Sequence, residues 1–185
     1  KGYKVTILDN LIYGQEYFLR PFLFRDNFEF INFDLRNLDS IDELKDKLRN
    51  IVVLAGLVGD PITAKYPELS DQINGDAIRS FINKVNDFEV DRLIFISTCS
   101  NYGLIPDGES ADENYELNPL SLYAKEKVNN ENFIIDNVGN FNFSPTILRF
   151  STAFGAAPRM RFDLTVNEFI RDIYLGKNLE VYDPD

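Results

Sequence analysis

Leu93-Ile94-Phe95-Ile96-Ser97-Thr98-Cys99-Ser100-Asn101-Tyr102-Gly103 sets four apolar residues in a row ahead of a cluster of hydroxyl groups. An unbroken apolar run of this length reads as a strand buried on both faces, as in a parallel sheet covered by helices. Its hydroxyls fall at the carboxyl edge, where an open α/β sheet binds its ligand. They also suit an ordinary Ser/Thr turn closing a strand. The longest irregular stretch, 101–119, follows at once, and loops after buried strands commonly wall a ligand crevice.

Outward from this stretch, similar runs occur at 5–8, 28–33, 51–55, 145–150 and 179–182, with 51–55 again unbroken. Helical patterns lie between several of them. Ser40-Ile41-Asp42-Glu43 has the form of a capping box. Residues 69–85 carry an apolar stripe at Ile73, Ala77, Ile78, Phe81, Ile82 and Val85. Residues 121–135 and 164–175 are patterned alike, with Gly176 ending the second. Strands alternating with helices predict an α/β fold, a doubly wound parallel sheet with helices on both faces. Both termini lack the polar tail usual at chain ends, so the sheet is expected to be incomplete at both ends and the chain part of a longer protein.

The chain has no His and a single Cys, Cys99. A Ser-His-Asp or Cys-His apparatus is thereby excluded, as is a zinc site built from His and Cys, and no metal is expected. A net charge of −11 argues against nucleic acid and anionic membranes as partners. It leaves room for a phosphorylated small ligand, because backbone dipoles bind phosphate even on an acidic protein. No apolar run approaches the ~20 residues that cross a bilayer, and one Cys suits a reducing compartment, so a cytoplasmic location is expected. Catalysis here must use Tyr, Lys, Ser/Thr, carboxylates or a cofactor.

Tyr123-Ala124-Lys125-Glu126-Lys127 offers the means. Tyr123 and Lys127, four apart on a helix, share a face, so the ammonium can sit beside the phenol. A free Tyr ionises near pH ~10 and needs such help to act as a base near neutrality. The same spacing also fits a surface Tyr beside a solvated Lys.

With Thr98, Tyr102-Gly103 and Tyr123/Lys127 in this order, the chain resembles the NAD-dependent epimerase/dehydratase family, extended short-chain dehydrogenases acting on nucleoside-diphosphate sugars. The resemblance implies a Rossmann-like NAD-binding domain over 1–150, the start of a sugar-nucleotide-binding portion over 151–185, and catalysis by Tyr123, Lys127 and Thr98. Residues 5–11 resemble the family's second strand, with Asp9, and Asn10 beside it, at the adenosine ribose. A carboxylate there accepts from both ribose hydroxyls and repels a 2′-phosphate, favouring NAD over NADP, although an Asp that merely opens a turn would look the same. Phe33-Asp34-Leu35 matches the segment beside the adenine. Leu54-Ala55-Gly56-Leu57-Val58-Gly59 matches the turn under the phosphates and nicotinamide ribose, where small residues admit close approach. Asn74 matches a residue bracing the active-site strand, and 144–150 the strand leading to the sugar-nucleotide portion. Pro158 to Asn167 resembles a loop and helix start of a subset of these enzymes. There Arg159 and Arg161 can bind a diphosphate, or form a solvated basic loop. Thr98, Ser100, Thr152 and Asn167 complete the implied substrate contacts.

Two departures matter. The family's Gly-x-x-Gly-x-x-Gly loop is absent from these 185 residues, so alone they are expected neither to bind NAD tightly nor to turn over. Thr98-Cys99-Ser100 stands where family 4,6-dehydratases carry Thr-Asp-Glu, which disfavours dehydration, and Ser151-Thr152 stands where many 4-epimerases carry Asn. The implied reaction is epimerisation of a nucleoside-diphosphate sugar, at C4, through a transient ketone. Release of the ketone would make it a dehydrogenase. A non-catalytic NAD-responsive binding subunit is a third reading, against which Thr98, Tyr123 and Lys127 argue. The resemblance also implies a homodimer through the Tyr/Lys helix, where Val128, Phe133 and Ile134 supply apolar positions.

Overall fold

The computed structural model describes residues 2–158, 160–179 and 181. It is Rossmann-like, with parallel strands joined through helices. Strands β1 (Val5–Asp9) and β2 (Phe28–Asn32) pair in parallel. Strands β3 (Asn50–Val53), β4 (Arg92–Thr98) and β5 (Ser144–Phe150) form a second parallel sheet with β4 in the middle. Where one sheet was expected there are thus two among the described residues, and β1 and β3 each keep an edge without a ladder. Pro145, which has no N–H to give, lies in β5 on the rim of its sheet.

The helices are α1 (Asp60–Lys65), α2 (Pro67–Ser70), a π-helical turn (Asp71–Ala77), α3 (Ile78–Val85), α4 (Leu122–Asp136) and α5 (Thr165–Tyr174). The stripe predicted over 69–85 is therefore one helical path that changes pitch in its middle. Ser121 opens α4, its Oγ accepting from the Ala124 N–H at 3.2 Å. After α5, Gly176 sits at φ +69° and the Lys177 N–H returns to the Asp172 carbonyl at 2.9 Å, a left-handed helix stop.

Two expectations need correcting. The capping box at Ser40 does not form: its side chain caps nothing, and Ile41–Lys47 winds as a 3₁₀ helix. Its buried residues, Ile41 and Leu44, lie three apart on one side. Residues 51–55 are not buried on both faces: Ile51 and Val53 are buried, while Val52 and Leu54 are 51% and 66% exposed. The order β3-β4-β5 steps one way across the sheet, so right-handed crossovers put α3 and α4 on the same face. The run at 179–182 lies partly outside the described residues, and Leu179 and Val181 belong to no strand.

Phe95, Leu93, Ile41, Ile78, Ile82 and Val85 are wholly buried between this sheet and its helices. Each contributes roughly 1.5–3 kcal/mol by leaving water. Ile134 joins them and half-buried Phe133 packs on their flank, so Ile134, one of the three apolar positions available for pairing copies, is taken up inside the molecule. Among the described residues, no helix is long and apolar enough to cross a membrane.

Candidate active site

The carboxyl end of β4 and the first turns of α4 meet at Lys127. Its Nζ donates to the Ile96 carbonyl at 2.8 Å and lies 4.7 Å from the centre of the Phe95 ring and 5.7 Å from that of Tyr123. The ammonium thus sits against both rings, in favourable cation–π range. Burial pushes the Lys127 pKa down from 10.5 to about 8, opposed by the negative charges of Glu126 and Glu131. Thr98, the last residue of β4, accepts from the Ser100 N–H and donates to the Ser100 Oγ, both at 3.2 Å. Tyr123 and Lys127 thus stand together at the strand end that bears Thr98.

Beneath them is a buried polar network that the motif reading missed. Glu131, wholly buried on α4, receives Arg149 of β5 through a fork, with Nη2 to Oε2 at 2.7 Å. Ser97 Oγ also donates to Glu131, and Asn101 Nδ2 does so at 2.7 Å. Arg149 reaches Tyr102 Oη at 3.1 Å, lies over its ring, and has its pKa raised chiefly by Glu131. The one available signal was a charged Arg149 inside the apolar run Ile147-Leu148-Arg149-Phe150, because a charge in a buried strand needs a partner.

The expected cofactor residues lie at the carboxyl ends of β1, β2 and β3. Asp9 Oδ1 accepts from the Leu11 N–H at 2.6 Å. Asn10 Nδ2 donates to Asp34 Oδ2 at 3.0 Å, joining two of them. Asp34 is also gripped by Arg36, whose hydrogen bonds hold its carboxyl well below the usual range. Leu35 lines a cleft of about 480 Å³ with Leu38, Gln72 and Ala77. Leu54 is exposed, and Ala55 and Gly56 half-buried. Gly56, at φ +152°, passes so close to Asn74 that a Cβ would lie 2.8 Å from Oδ1. Asn74 Oδ1 accepts from the Leu57 N–H at 2.7 Å and Nδ2 donates to the Leu57 carbonyl at 3.0 Å. Asn74 therefore braces this turn, where the resemblance had assigned it to the active-site strand.

Of the expected substrate residues, Ser100 and Thr152 are exposed, and Arg159 lies outside the described residues. Arg161 is held by Asp163 at 2.6 Å; that pairing raises its pKa most, with smaller contributions from Tyr13 and Tyr123. It thus stands within electrostatic reach of Tyr123. Asn167 is buried, accepting from the Gly155 N–H at 3.1 Å and donating to the Arg161 carbonyl at 3.0 Å. It lines a second cleft, of about 450 Å³, with Met160, Phe162 and Ile170. Neither cleft includes Tyr123, Lys127 or Thr98; the site is defined by side-chain chemistry at the strand ends. Among the described residues no group of His, Cys, Asp and Glu could hold a metal ion.

Residues 1–184 match the sequence profile of the NAD dependent epimerase/dehydratase family. The chain belongs to that family. The UDP-glucose 4-epimerase of Rhizobium meliloti is 27% identical over 158 residues, 84% of this chain and 46% of that protein. The UDP-glucuronic acid 4-epimerase of Bacillus cereus, solved with NAD, superposes with a TM-score of 0.81 at 25% identity, covering 97% of this chain and 58% of the other. The UDP-N-acetylglucosamine 4-epimerase of Methanobrevibacter ruminantium, solved with UDP-N-acetylmuramic acid, gives 0.80 at 26%, over 97% and 57%. This member of the family spans about half the length of the curated relatives it matches.

Proposed function

We propose that the protein carrying this chain is an NAD-dependent 4-epimerase of a nucleoside-diphosphate sugar. The observation that carries the reading is Lys127, anchored on the Ile96 carbonyl and set against the Tyr123 ring at the strand end that bears Thr98. The similar 4-epimerases of UDP-sugars favour the same reaction over dehydration.

The residues present fit NAD. Asp9 offers a carboxylate to the adenosine ribose, Leu35 an apolar contact for adenine, and the Leu54–Gly56 turn a close-set backbone for phosphate and ribose. When bound, NAD would supply a hydride acceptor for the sugar C4, and the hydride donor once the keto sugar has turned to present its other face. Tyr123 takes the hydroxyl proton, with Lys127 stabilising the phenolate and Thr98 sharing the proton at its Oγ1. Return of the proton from Tyr123 to the reduced sugar closes the cycle. Arg161, with Arg159, Ser100, Thr152 and Asn167, supplies the sugar-nucleotide side, where guanidinium groups suit a diphosphate. Residues 151–185 thus begin the sugar-nucleotide portion, and the active assembly is a homodimer in the cytoplasm.

The test is to incubate the whole protein and NAD with UDP-glucose, UDP-glucuronic acid and UDP-N-acetylglucosamine separately, following the C4 proton by NMR. Interconversion of one C4 pair is expected. A keto sugar accumulating with stoichiometric NADH would make it a dehydrogenase, and no reaction with any sugar nucleotide would sink the reading.

A further inference from the structure

Glu126 is a glutamate only 4% exposed, immediately before Lys127 on α4. Its Oε2 accepts from Ser70 Oγ and from Asn74 Nδ2, both at 2.8 Å. Its Oε1 is buried with no hydrogen-bond partner among the described residues. A carboxylate placed this way, one bond short and out of water, is costly unless a nearby positive charge offsets its desolvation.

We propose that Glu126 is a positioning residue of the catalytic pair, fixing the Asn74 amide that shapes the Gly56–Leu57 turn and serving as the buried counter-charge of Lys127. The role rests on Tyr123 and Lys127 being the catalytic pair.

A carboxylate can only accept, so the Asn74 nitrogen must face Glu126. That leaves Asn74 Oδ1 toward the Leu57 N–H, where it accepts at 2.7 Å. Flipping the amide would set oxygen against oxygen at Glu126 and N–H against N–H at Leu57. The sense of one hydrogen bond on the catalytic helix is thereby carried to the turn expected to meet the cofactor.

Two buried carboxylates act on Lys127, and Glu126, buried next to it on α4, is the one with no Arg or Lys bridged to it among the described residues. Glu131, on the same helix, is already matched by Arg149 from β5. Strand β4 offers only the Ile96 carbonyl and the Phe95 ring. On the Asn74 side, Arg79 is held by Asp76 and Asn130. Arg161, before α5, is paired with Asp163. After burial itself, Glu126 exerts the largest influence on the Lys127 proton, and in the direction that keeps it bound.

Two variants of the whole protein separate the parts of this role. Glu126→Gln keeps the shape and can still present an oxygen to Asn74, but removes the charge; Glu126→Ala removes both. The Lys127 titration is followed by 13Cε NMR in lysine-labelled protein, its signal assigned by its loss in Lys127→Arg, and Leu57 N–H exchange is measured on the same samples. Gln is expected to lower the Lys127 midpoint by about one pH unit while sparing Leu57 protection. Ala is expected to do the first and also speed Leu57 exchange by about tenfold or more. An unmoved midpoint in Gln overturns the proposal even if Ala fails to fold, as does unchanged Leu57 exchange in a folded Ala variant. Neither readout needs turnover, so both stand apart from whether the protein epimerises a sugar.

Discussion

Lys127 Nζ donates to the main-chain carbonyl of Ile96 at 2.8 Å, two residues before Thr98 on the same strand. A flexible four-carbon side chain is thus pinned by the backbone of β4, and its charge is held at a fixed place beside Tyr123. That placement has a thermodynamic cost as well as a chemical use, because the ammonium is taken almost wholly out of water.

The cost should be visible in stability against pH. Folded Lys127 releases its proton near pH 8, whereas in the unfolded chain it holds it to about 10.5. Below 8 both states are protonated, and the folded state bears the full penalty of about 3 kcal/mol. Between 8 and 10.5 unfolding takes up a proton, so stability rises with pH and the penalty fades. Urea unfolding of wild type and Lys127→Met at pH 7, 9 and 10.5 should show wild type gaining on the variant by about 3 kcal/mol across that window. A difference that stays flat would mean that the ammonium is not desolvated.

Tyr123→Phe keeps the ring that faces Lys127 and removes only the hydroxyl. Turnover of the whole protein should fall by roughly 10²–10⁴, the worth of a positioned general base. NAD affinity, measured by calorimetry, should change little. Retained turnover would take Tyr123 out of the base role.

Arg149→Met leaves Glu131 buried beside Ser97 and Asn101 with no cation hydrogen-bonded to it. Removing one partner of a buried pair costs about 3–5 kcal/mol, since the other charge stays behind without compensation. Urea unfolding should record a loss of that size. A loss under about 1 kcal/mol would show that water reaches Glu131 and that the pair is effectively a surface one.

How far these features could be read from the chain depends on how local they are. Tyr123 and Lys127 lie one helical turn apart, so spacing alone puts them on one face. Glu131 meets Ser97 and Arg149 only because β4, β5 and α4 pack together, and no short-range pattern encodes that. The capping-box pattern at Ser40 is a local propensity the folded chain does not use: the segment after it winds as a 3₁₀ helix and Ser40 caps nothing. Ile134 looked free to pair copies because helical periodicity shows an apolar face without saying what covers it. The turn at Gly56 was legible as a place for small residues, but not that its close neighbour is Asn74, 18 positions away in the chain.

Two glycines in positive-φ backbone separate fold from site. At Gly103, φ +70°, a Cβ would stand 2.2 Å from the Asn118 carbonyl oxygen, a backbone atom already tied to the loop by the Asn118 N–H bond to Asn101. Gly103→Ala therefore has to move main chain and should cost about 2 kcal/mol or more. At Gly56, φ +152°, the obstacle is the Asn74 side-chain oxygen at 2.8 Å, which can shift only by giving up Leu57 and Glu126. Gly56→Ala should thus cost less in urea unfolding, about 1–2 kcal/mol, yet weaken NAD binding by the whole protein about tenfold or more, because the turn it deforms is the one proposed to meet the cofactor. The reverse order, with Gly103→Ala the more damaging to NAD affinity, would move the cofactor contact from the end of β3 to the loop after β4.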